Sequence, residues 1–328
     1  MIRVLSATDV ADVLDLEALL DVVERGLVKQ TRGAVERPDR PHYPVGAGLA
    51  ADGRDTTDEP LGTGLAMPAY VHGASYMATK LASVHAANPE RGLPTVHAQL
   101  VLAEADTGRP AAFVEGTTIT NARTGCIGGV AVRALTDGPI ELGVLGAGAQ
   151  ARWQTRAIGA AVDVDAVRVY APSDSREACA SDLRDDGFDA EAVASPEAAV
   201  ANADVVVTAT TSHDPVFPAD ALPAEAVVVA IGAYTAEMQE LEPAVLEGAS
   251  RVYADVPTEV AAIGDVQQSE LDEAALVPLG ALLAGEDEPP AGRIVVESVG
   301  SAVLDAVAGE HLLDRALEAD VGTTVEFS

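Results

Sequence analysis

The clearest chemistry in this sequence lies in Gly146-Ala147-Gly148-Ala149-Gln150-Ala151. An apolar run, residues 140–145, precedes it, and a helical pattern follows to about residue 160. Gly-x-Gly-x-x-Ala between strand and helix is a dinucleotide-binding arrangement. Gly146 permits the tight turn, Gly148 lets the backbone approach a pyrophosphate, and Ala151 keeps helix and strand close. Ala149 and Gln150 complete the turn, and the helix N-terminus there faces the phosphate charge. The alternative is a Gly-rich turn that holds no ligand.

Cofactor choice is read at the end of the next strand, where NAD enzymes commonly carry Asp or Glu for the ribose diol. The run here is Val169-Tyr170-Ala171-Pro172-Ser173-Asp174-Ser175-Arg176, with Ala171 at the expected position. No acid there repels a 2′-phosphate, and Ser173, Ser175 and Arg176 could bind one, which favours NADP. Asp174 keeps NAD open, because a shift of a few residues restores the acid.

Lys80 is one of two lysines in the chain, with Lys29, and it interrupts an apolar, strand-like stretch. Such a lysine is buried with a partner, close to a ligand, or exposed on a strand. His213 reads as a loop residue, and His42, His72, His85, His97 and His311 lack metal-ligand spacing. Cys126 and Cys179 have no CxxC neighbour and read as small core residues.

The elements that must position these groups fall into three stretches. Residues 1–35 read as two helices, the first capped by Ser6 or Thr8 and the second by Asp15, with Leu16, Leu19, Leu20, Val23 and Leu27 on one face. Segment 37–64, rich in Pro, Gly and Asp, reads as irregular with room for short strands. Segments 98–104 and 109–115 alternate around Asp106-Thr107-Gly108 as a hairpin, and 118–135 reads as a helix. Beyond it, apolar runs 140–145, 167–170, 190–193, 205–208 and 227–231 alternate with helices, the pattern of a parallel doubly wound sheet. One or two helices are expected from about residue 295.

Charge and composition narrow the setting. The 328 residues carry 52 Asp and Glu against 20 Lys and Arg, a net charge of −32 with 48% hydrophobic residues. Disorder requires low hydrophobicity along with high charge, so the chain is expected to fold. Its surface repels nucleic acid and anionic membrane. An acidic surface nearly without lysine points to a protein built for high salt. Neither a signal peptide nor a membrane span is legible, and a cytoplasmic location is expected.

A wider set of motifs then appears in order: Met67-Pro68-Ala69-Tyr70, Thr79-Lys80, residues 88–95 as Asn-Pro-Glu-Arg-Gly-Leu-Pro-Thr, residues 115–124 as Glu-Gly-Thr-Thr-Ile-Thr-Asn-Ala-Arg-Thr, and Glu297-Ser298-Val299-Gly300-Ser301-Ala302. With the Gly146 turn, this set resembles the ornithine cyclodeaminase/mu-crystallin family, from about residue 37 to 305. The resemblance implies an α/β fold: a Rossmann-type domain over 118–295, and an α+β substrate and dimerisation domain from 1–117 with 296–328. It implies a homodimer and a small amino, imino or keto acid substrate, with neither nucleic acid nor membrane as partner. By position, Arg40, Lys80 and Arg123 correspond to the groups that hold the substrate carboxylate. The fork of arginine donors suits a carboxylate. Thr120 and Thr124 correspond to a contact with the cofactor phosphate, and Thr210, Ser212 and Gly232 to the cofactor's surroundings.

One departure discriminates among activities. Cyclodeaminases of this family carry Asp shortly after the glycine of a late strand, whereas this chain reads Ile231-Gly232-Ala233-Tyr234. A phenol of ordinary pKa near 10 is a poor base at neutral pH. The segment resembles the version found in ketimine reductases, where Tyr234 could pack over substrate or nicotinamide, or serve packing alone. The expected activity is therefore NAD(P)H-dependent reduction of a cyclic 2-imino acid, pyrroline-2-carboxylate or piperideine-2-carboxylate. Alanine dehydrogenase, ornithine cyclodeaminase and a non-catalytic binding protein are the alternatives.

Overall fold

The computed structural model describes residues 1–49 and 59–326 of the chain. Two compact units emerge. The first comprises Met1–Asp15, Gly33–Thr120 and Ala302–Ser328, and the second Leu16–Arg32 and Asn121–Ser301. Part of the irregular segment expected at 37–64 lies outside the described residues.

The first unit is built on β1 (Ile2–Leu5), β2 (Val35–Glu36), β3 (His42–Val45), β4 (Gly62–Val71), β5 (Tyr76–Val84), β6 (Val96–Glu104) and β7 (Pro110–Glu115). A C-terminal strand, Thr323–Val325, joins them. The sheet runs C-terminal strand–β1–β7–β6–β5–β4–β2, with β3 also paired to β4. The β6–β7 hairpin closes at the expected turn, where Glu104 N–H donates to the Arg109 carbonyl at 2.9 Å. Strand alternation sorts the side chains by face. Ala78 and Lys80 of β5 and Leu100 and Leu102 of β6 are buried, on the side where the C-terminal helix Ala302–Glu318 packs. Met77, Leu81 and Phe113 alternate with them and remain exposed. Ser6 caps α1 (Ala7–Val13) in a reciprocal capping box with Asp9, one of the two caps expected there.

The second unit is a parallel sheet of β8 (Ile140–Leu145), β9 (Val164–Tyr170), β10 (Ala190–Ala192), β11 (Val205–Thr208), β12 (Val227–Ala230), β13 (Arg251–Ala254), β14 (Leu276–Pro278) and β15 (Ile294–Glu297). Its order is β10-β9-β8-β11-β12-β15-β13-β14. Order reverses between β8 and β11, which makes the crevice beyond their carboxyl ends the place where such sheets bind ligands. Helix α2 (Leu16–Thr31) belongs to this unit, packing on Leu279–Leu283 and on α4 (Ala149–Ala161). The sequence places α2 with the chain start, because its apolar face does not reveal which partner it meets. Helix α3 (Gly116–Leu135) starts in the first unit and continues in the second. It opens two residues before the expected start, because the Glu115 carboxylate accepts from Thr117 and Thr118 N–H at 2.7 and 2.9 Å. Helix α5 (Ser175–Asp185) completes the βαβ units beside the dinucleotide turn. Residues 294–297, expected near the start of a helical tail, form β15 between β12 and β13, and all four are buried.

Candidate active site

The glycine turn has the shape that a dinucleotide pyrophosphate requires. Gly146 sits at φ +113°, and a Cβ there would collide with the Ala209 carbonyl oxygen at the end of β11. Gly148, the N-cap of α4, has no heavy atom within 4 Å of where a Cβ would stand, and no side chain caps the helix. Gly148 and Ala149 are exposed, while Ala151 is fully buried under the helix start. An open, uncapped N-terminus of a three-turn helix offers N–H donors to an anion. The residues present therefore fit a dinucleotide.

The turn is locked from behind. Arg152 Nη1 donates to the carbonyls of Ala147 at 2.6 Å and Gly148 at 3.1 Å, and its guanidinium pairs with Asp182 at 2.6 Å. This brace was not legible in the sequence, because nothing there ties Arg152 to Asp182, thirty residues on. Gln150 Nε2 donates to Asn121 Oδ1 at 2.9 Å, and Gln154 Nε2 to the Thr124 carbonyl at 2.8 Å. These bonds lay α3 beside α4. Gly125 permits the approach, since a Cβ there would stand 2.5 Å from the Trp153 carbonyl oxygen.

At the end of β9, Ala171 is buried and Ser173, Asp174 and Ser175 are exposed. Ser173 Oγ lies 2.8 Å from Ser175 Oγ, and Arg176 Nη1 donates to the Ala171 carbonyl at 2.9 Å. Asp174 is the N-cap of α5, and its carboxylate makes no capping bond. Helix α5 starts at Ser175, which leaves Ser173 in the turn.

Thr210 and Gly232, at the ends of β11 and β12, meet on one carboxylate. Glu240 accepts from Thr210 N–H at 2.6 Å, Thr210 Oγ at 2.7 Å, Thr208 Oγ at 2.9 Å and Gly232 N–H at 2.7 Å. Burial pushes the Glu240 carboxyl up to about 7, against the pull of these donors. Ser212 N–H donates to Thr210 Oγ at 3.2 Å. Tyr234 is 51% exposed, so it is not a core-packing residue. His213 is exposed and lies 2.7 Å from the Glu237 carbonyl, as suits a loop histidine.

Arg123, also in the second unit, is only 4% exposed. The turn that follows β15 presses on it: Gly300, at φ +76°, would place a Cβ 2.8 Å from Arg123 Nη1. Asp255 shapes that turn by accepting from Ser298 Oγ at 2.7 Å, Val299 N–H at 3.2 Å and Gly300 N–H at 2.8 Å. Burial raises the Asp255 carboxyl above its ordinary range, partly offset by these donors and by the field of Arg123.

In the first unit, Lys80 is buried and its Nζ lies 2.6 Å from Asp305 Oδ2 on the C-terminal helix. It also donates to Thr120 Oγ at 3.4 Å. Of the three environments open to Lys80, the structure shows burial with a partner. Arg40 is half-buried in the link between β2 and β3, which both pair with β4. The Pro41 carbonyl accepts from Ala66 N–H at 3.3 Å, while Lys80 pairs with Met67 across the other edge of β4. Two strand spacings, about 10 Å, therefore separate the Arg40 and Lys80 backbones.

Sequence reasoning did not find Glu240, Asp255 or Asp305. Glu240 and Asp255 lie in segments where the chain is rich in acids and nothing singles them out. Asp305 could have been found, because it is the lone acid in the apolar run of residues 302–308 and the chain holds just one lysine besides Lys29.

A parallel sheet with a reversal of order, a braced Gly-x-Gly-x-x-Ala turn and an open helix N-terminus define a Rossmann-type dinucleotide-binding protein, and this one is an NAD(P)-dependent oxidoreductase. The chain belongs to the ornithine cyclodeaminase/mu-crystallin family, whose profile matches residues 2–320. A Delta(1)-pyrroline-2-carboxylate reductase of Bacillus thuringiensis subsp. konkukian (strain 97-27) is 31% identical over 282 residues, covering 81% of this chain and 85% of that protein. The structure of Thermococcus litoralis Delta(1)-pyrroline-2-carboxylate reductase in complex with NADH and L-proline is 26% identical, with a TM-score of 0.90 over 99% of this chain and 100% of that one. An archaeal alanine dehydrogenase dimer with bound NAD is also 26% identical, with a TM-score of 0.87 over 100% of this chain and 99% of that one.

Proposed function

We propose that this enzyme reduces a cyclic 2-imino acid, pyrroline-2-carboxylate or piperideine-2-carboxylate, to L-proline or L-pipecolate. The observation that carries the reading is Tyr234, an exposed phenol directly after Gly232-Ala233, where the cyclodeaminase reaction would need a carboxylate base. Similarity to pyrroline-2-carboxylate reductases supports it. The Gly146–Ala151 turn, Thr120, Thr124, Thr210, Ser212 and Gly232 would hold the cofactor, which would supply a hydride from its nicotinamide. Arg40, Lys80 and Arg123 hold the substrate carboxylate. Lys80 and Arg123 reach it from buried positions, so their charge acts in a low-dielectric setting. A protonated imine nitrogen makes C2 electrophilic; the new C2–H bond takes the C=N electrons onto nitrogen, leaving a neutral secondary amine. Positioning of the two reactants supplies much of the acceleration.

Ser173, Ser175 and Arg176 suit the 2′-phosphate of NADP, and Ala171 leaves that position without a repelling acid. NADPH is therefore the proposed reductant, with NADH competent. The chain acts as a homodimer in the cytoplasm. Its first sheet supports the dimer: Met77, Leu81 and Phe113 stand exposed on the face opposite the C-terminal helix, and the archaeal alanine dehydrogenase neighbour is a dimer. That neighbour also favours a second reading, reductive amination of pyruvate with ammonia.

Cofactor deuterated at nicotinamide C4 tests the reaction. NMR of the product from pyrroline-2-carboxylate should show deuterium at the α carbon of proline. Incorporation only into alanine, with pyruvate and ammonia present, would replace the imine reading with the second one.

A further inference from the structure

Four carboxyl side chains lie buried at the carboxyl ends of the central strands of the second unit: Glu240, Asp255, Asp265 and Glu297, none more than 3% exposed. Three of them are well supplied with donors. Glu240 has the four described above, and Asp255 has three. Asp265 Oδ1 accepts from Glu240 N–H at 2.7 Å and Leu241 N–H at 2.8 Å. Glu297 differs. It ends β15, pairing with Ala230 of β12 on one side and Ala254 of β13 on the other. Its Oε1 is buried with no hydrogen-bond partner, and so is Asp265 Oδ2.

A buried carboxylate without a donor, facing other carboxylates, is not a stable arrangement. The groups whose charge bears on Glu297 are Asp265 first, then Glu240 and Asp255, all acidic. Among the described residues, the cation whose charge bears on the cluster is Arg123, and it acts on Asp255. One proton removes the conflict. A neutral Glu297 becomes a donor, and Asp265 Oδ2 is an acceptor in want of one.

We infer that Glu297 is a positioning residue that stays protonated and donates to Asp265, tying the end of β15 to the segment that carries Glu240. Glu240 in turn holds Thr210 and Gly232, at the strand ends proposed above to hold the cofactor. The proton thus fixes the floor of the site without touching substrate or cofactor. Burial and the neighbouring acids hold the Glu297 carboxyl well above the ordinary carboxylate range, and burial holds Asp265 up to about 6. Both shifts are upward. The cluster therefore stabilises the fold fully below the unfolded-state carboxyl range, and this contribution is lost as pH rises through the folded-state values.

Infrared spectroscopy at neutral pH reads the proton directly and does not depend on which substrate the enzyme takes. Wild type should show the C=O stretch of neutral buried carboxylic acid. Glu297→Gln should lose the Glu297 component while keeping its melting temperature and the Glu240 component, whose carboxyl burial holds at about 7. A second readout is the pH profile of kcat and of the KM for cofactor. Wild type should lose kcat and gain KM on the alkaline side, whereas Glu297→Gln, a permanent neutral donor, should hold both within about twofold over the same range. Should Glu297→Gln fail to fold, Asp265→Asn keeps the Oδ1 acceptor and offers an amide donor to Glu297, and it should remove the same component of the band. An unchanged band, or an alkaline limb identical to wild type in either variant, would overturn the inference. Failure of the imine assay alone would leave these spectroscopic outcomes intact.

Discussion

Replacing Lys80 with methionine keeps an unbranched side chain, one heavy atom shorter, and removes its charge. Lys80 and Asp305 are both nearly fully buried, with side chains 5% and 1% exposed, and stand 2.6 Å apart. The variant removes the charge that faces the buried Asp305 carboxylate, between the C-terminal helix and the sheet of the first unit. Removal of one member of such a pair costs about 3–5 kcal/mol. For a chain of this size, roughly 2 °C per kcal/mol, the melting temperature should fall by about 6–10 °C. Lys80→Met combined with Asp305→Leu removes both charges and should recover most of that loss, because a well-packed apolar pair is often as stable as the buried ion pair it replaces. Activity separates the two roles of Lys80. The double variant should keep cofactor affinity but lose at least about tenfold in kcat/KM for the imino acid, a single charge-assisted hydrogen bond being worth ~1.5–3 kcal/mol. Differential scanning calorimetry and steady-state kinetics on the single and double variants make the measurement. A double variant that regains both stability and full kcat/KM would show Lys80 to be structural only and refute the carboxylate role.

Four further outcomes follow, three from the same geometry and one from the charge. Gly148→Ala should melt within about 1 kcal/mol of wild type, since the substitution touches only an N-cap, yet weaken cofactor binding in fluorescence titration. Gly146→Ala must force a left-handed residue against the Ala209 carbonyl, and should lose both stability and cofactor affinity. Arg176→Ala should raise the KM for NADPH several-fold and leave that for NADH nearly unchanged; equal effects on both would assign the turn to packing. The net charge of −32 predicts a melting temperature that climbs steeply from about 0.1 M KCl, where the Debye length is ~10 Å, to roughly 3 M. A flat response by circular dichroism would reject salt adaptation.

Much of this was legible in the sequence because it is local. The Gly146 turn, the strand before it and the helix after it are written in one stretch of residues, so β8 and α4 emerge close to their expected limits. The β6–β7 hairpin is likewise announced by Asp106-Thr107-Gly108. What stayed hidden depends on partners distant in sequence. β1 is only four residues long and exists because it pairs with β7 and the C-terminal strand. β15 carries four consecutive buried residues, a pattern that does not distinguish a buried strand from a helix segment, and its place between β12 and β13 is a matter of topology. The apolar face of α2 was visible, but nothing in its periodicity says that it packs in the second unit. The site divides in the same way. Lys80 stood out because the chain has almost no lysine, whereas Glu240 and Asp255 are two acids among many, and only burial sets them apart.

The central claim is that the reaction consumes a cyclic imine. NADPH oxidation in concentrated KCl should be followed with pyrroline-2-carboxylate and with pyruvate, each in the presence and absence of ammonia. Rapid oxidation with pyrroline-2-carboxylate, indifferent to ammonia, is the predicted result. Oxidation confined to pyruvate plus ammonia would contradict it.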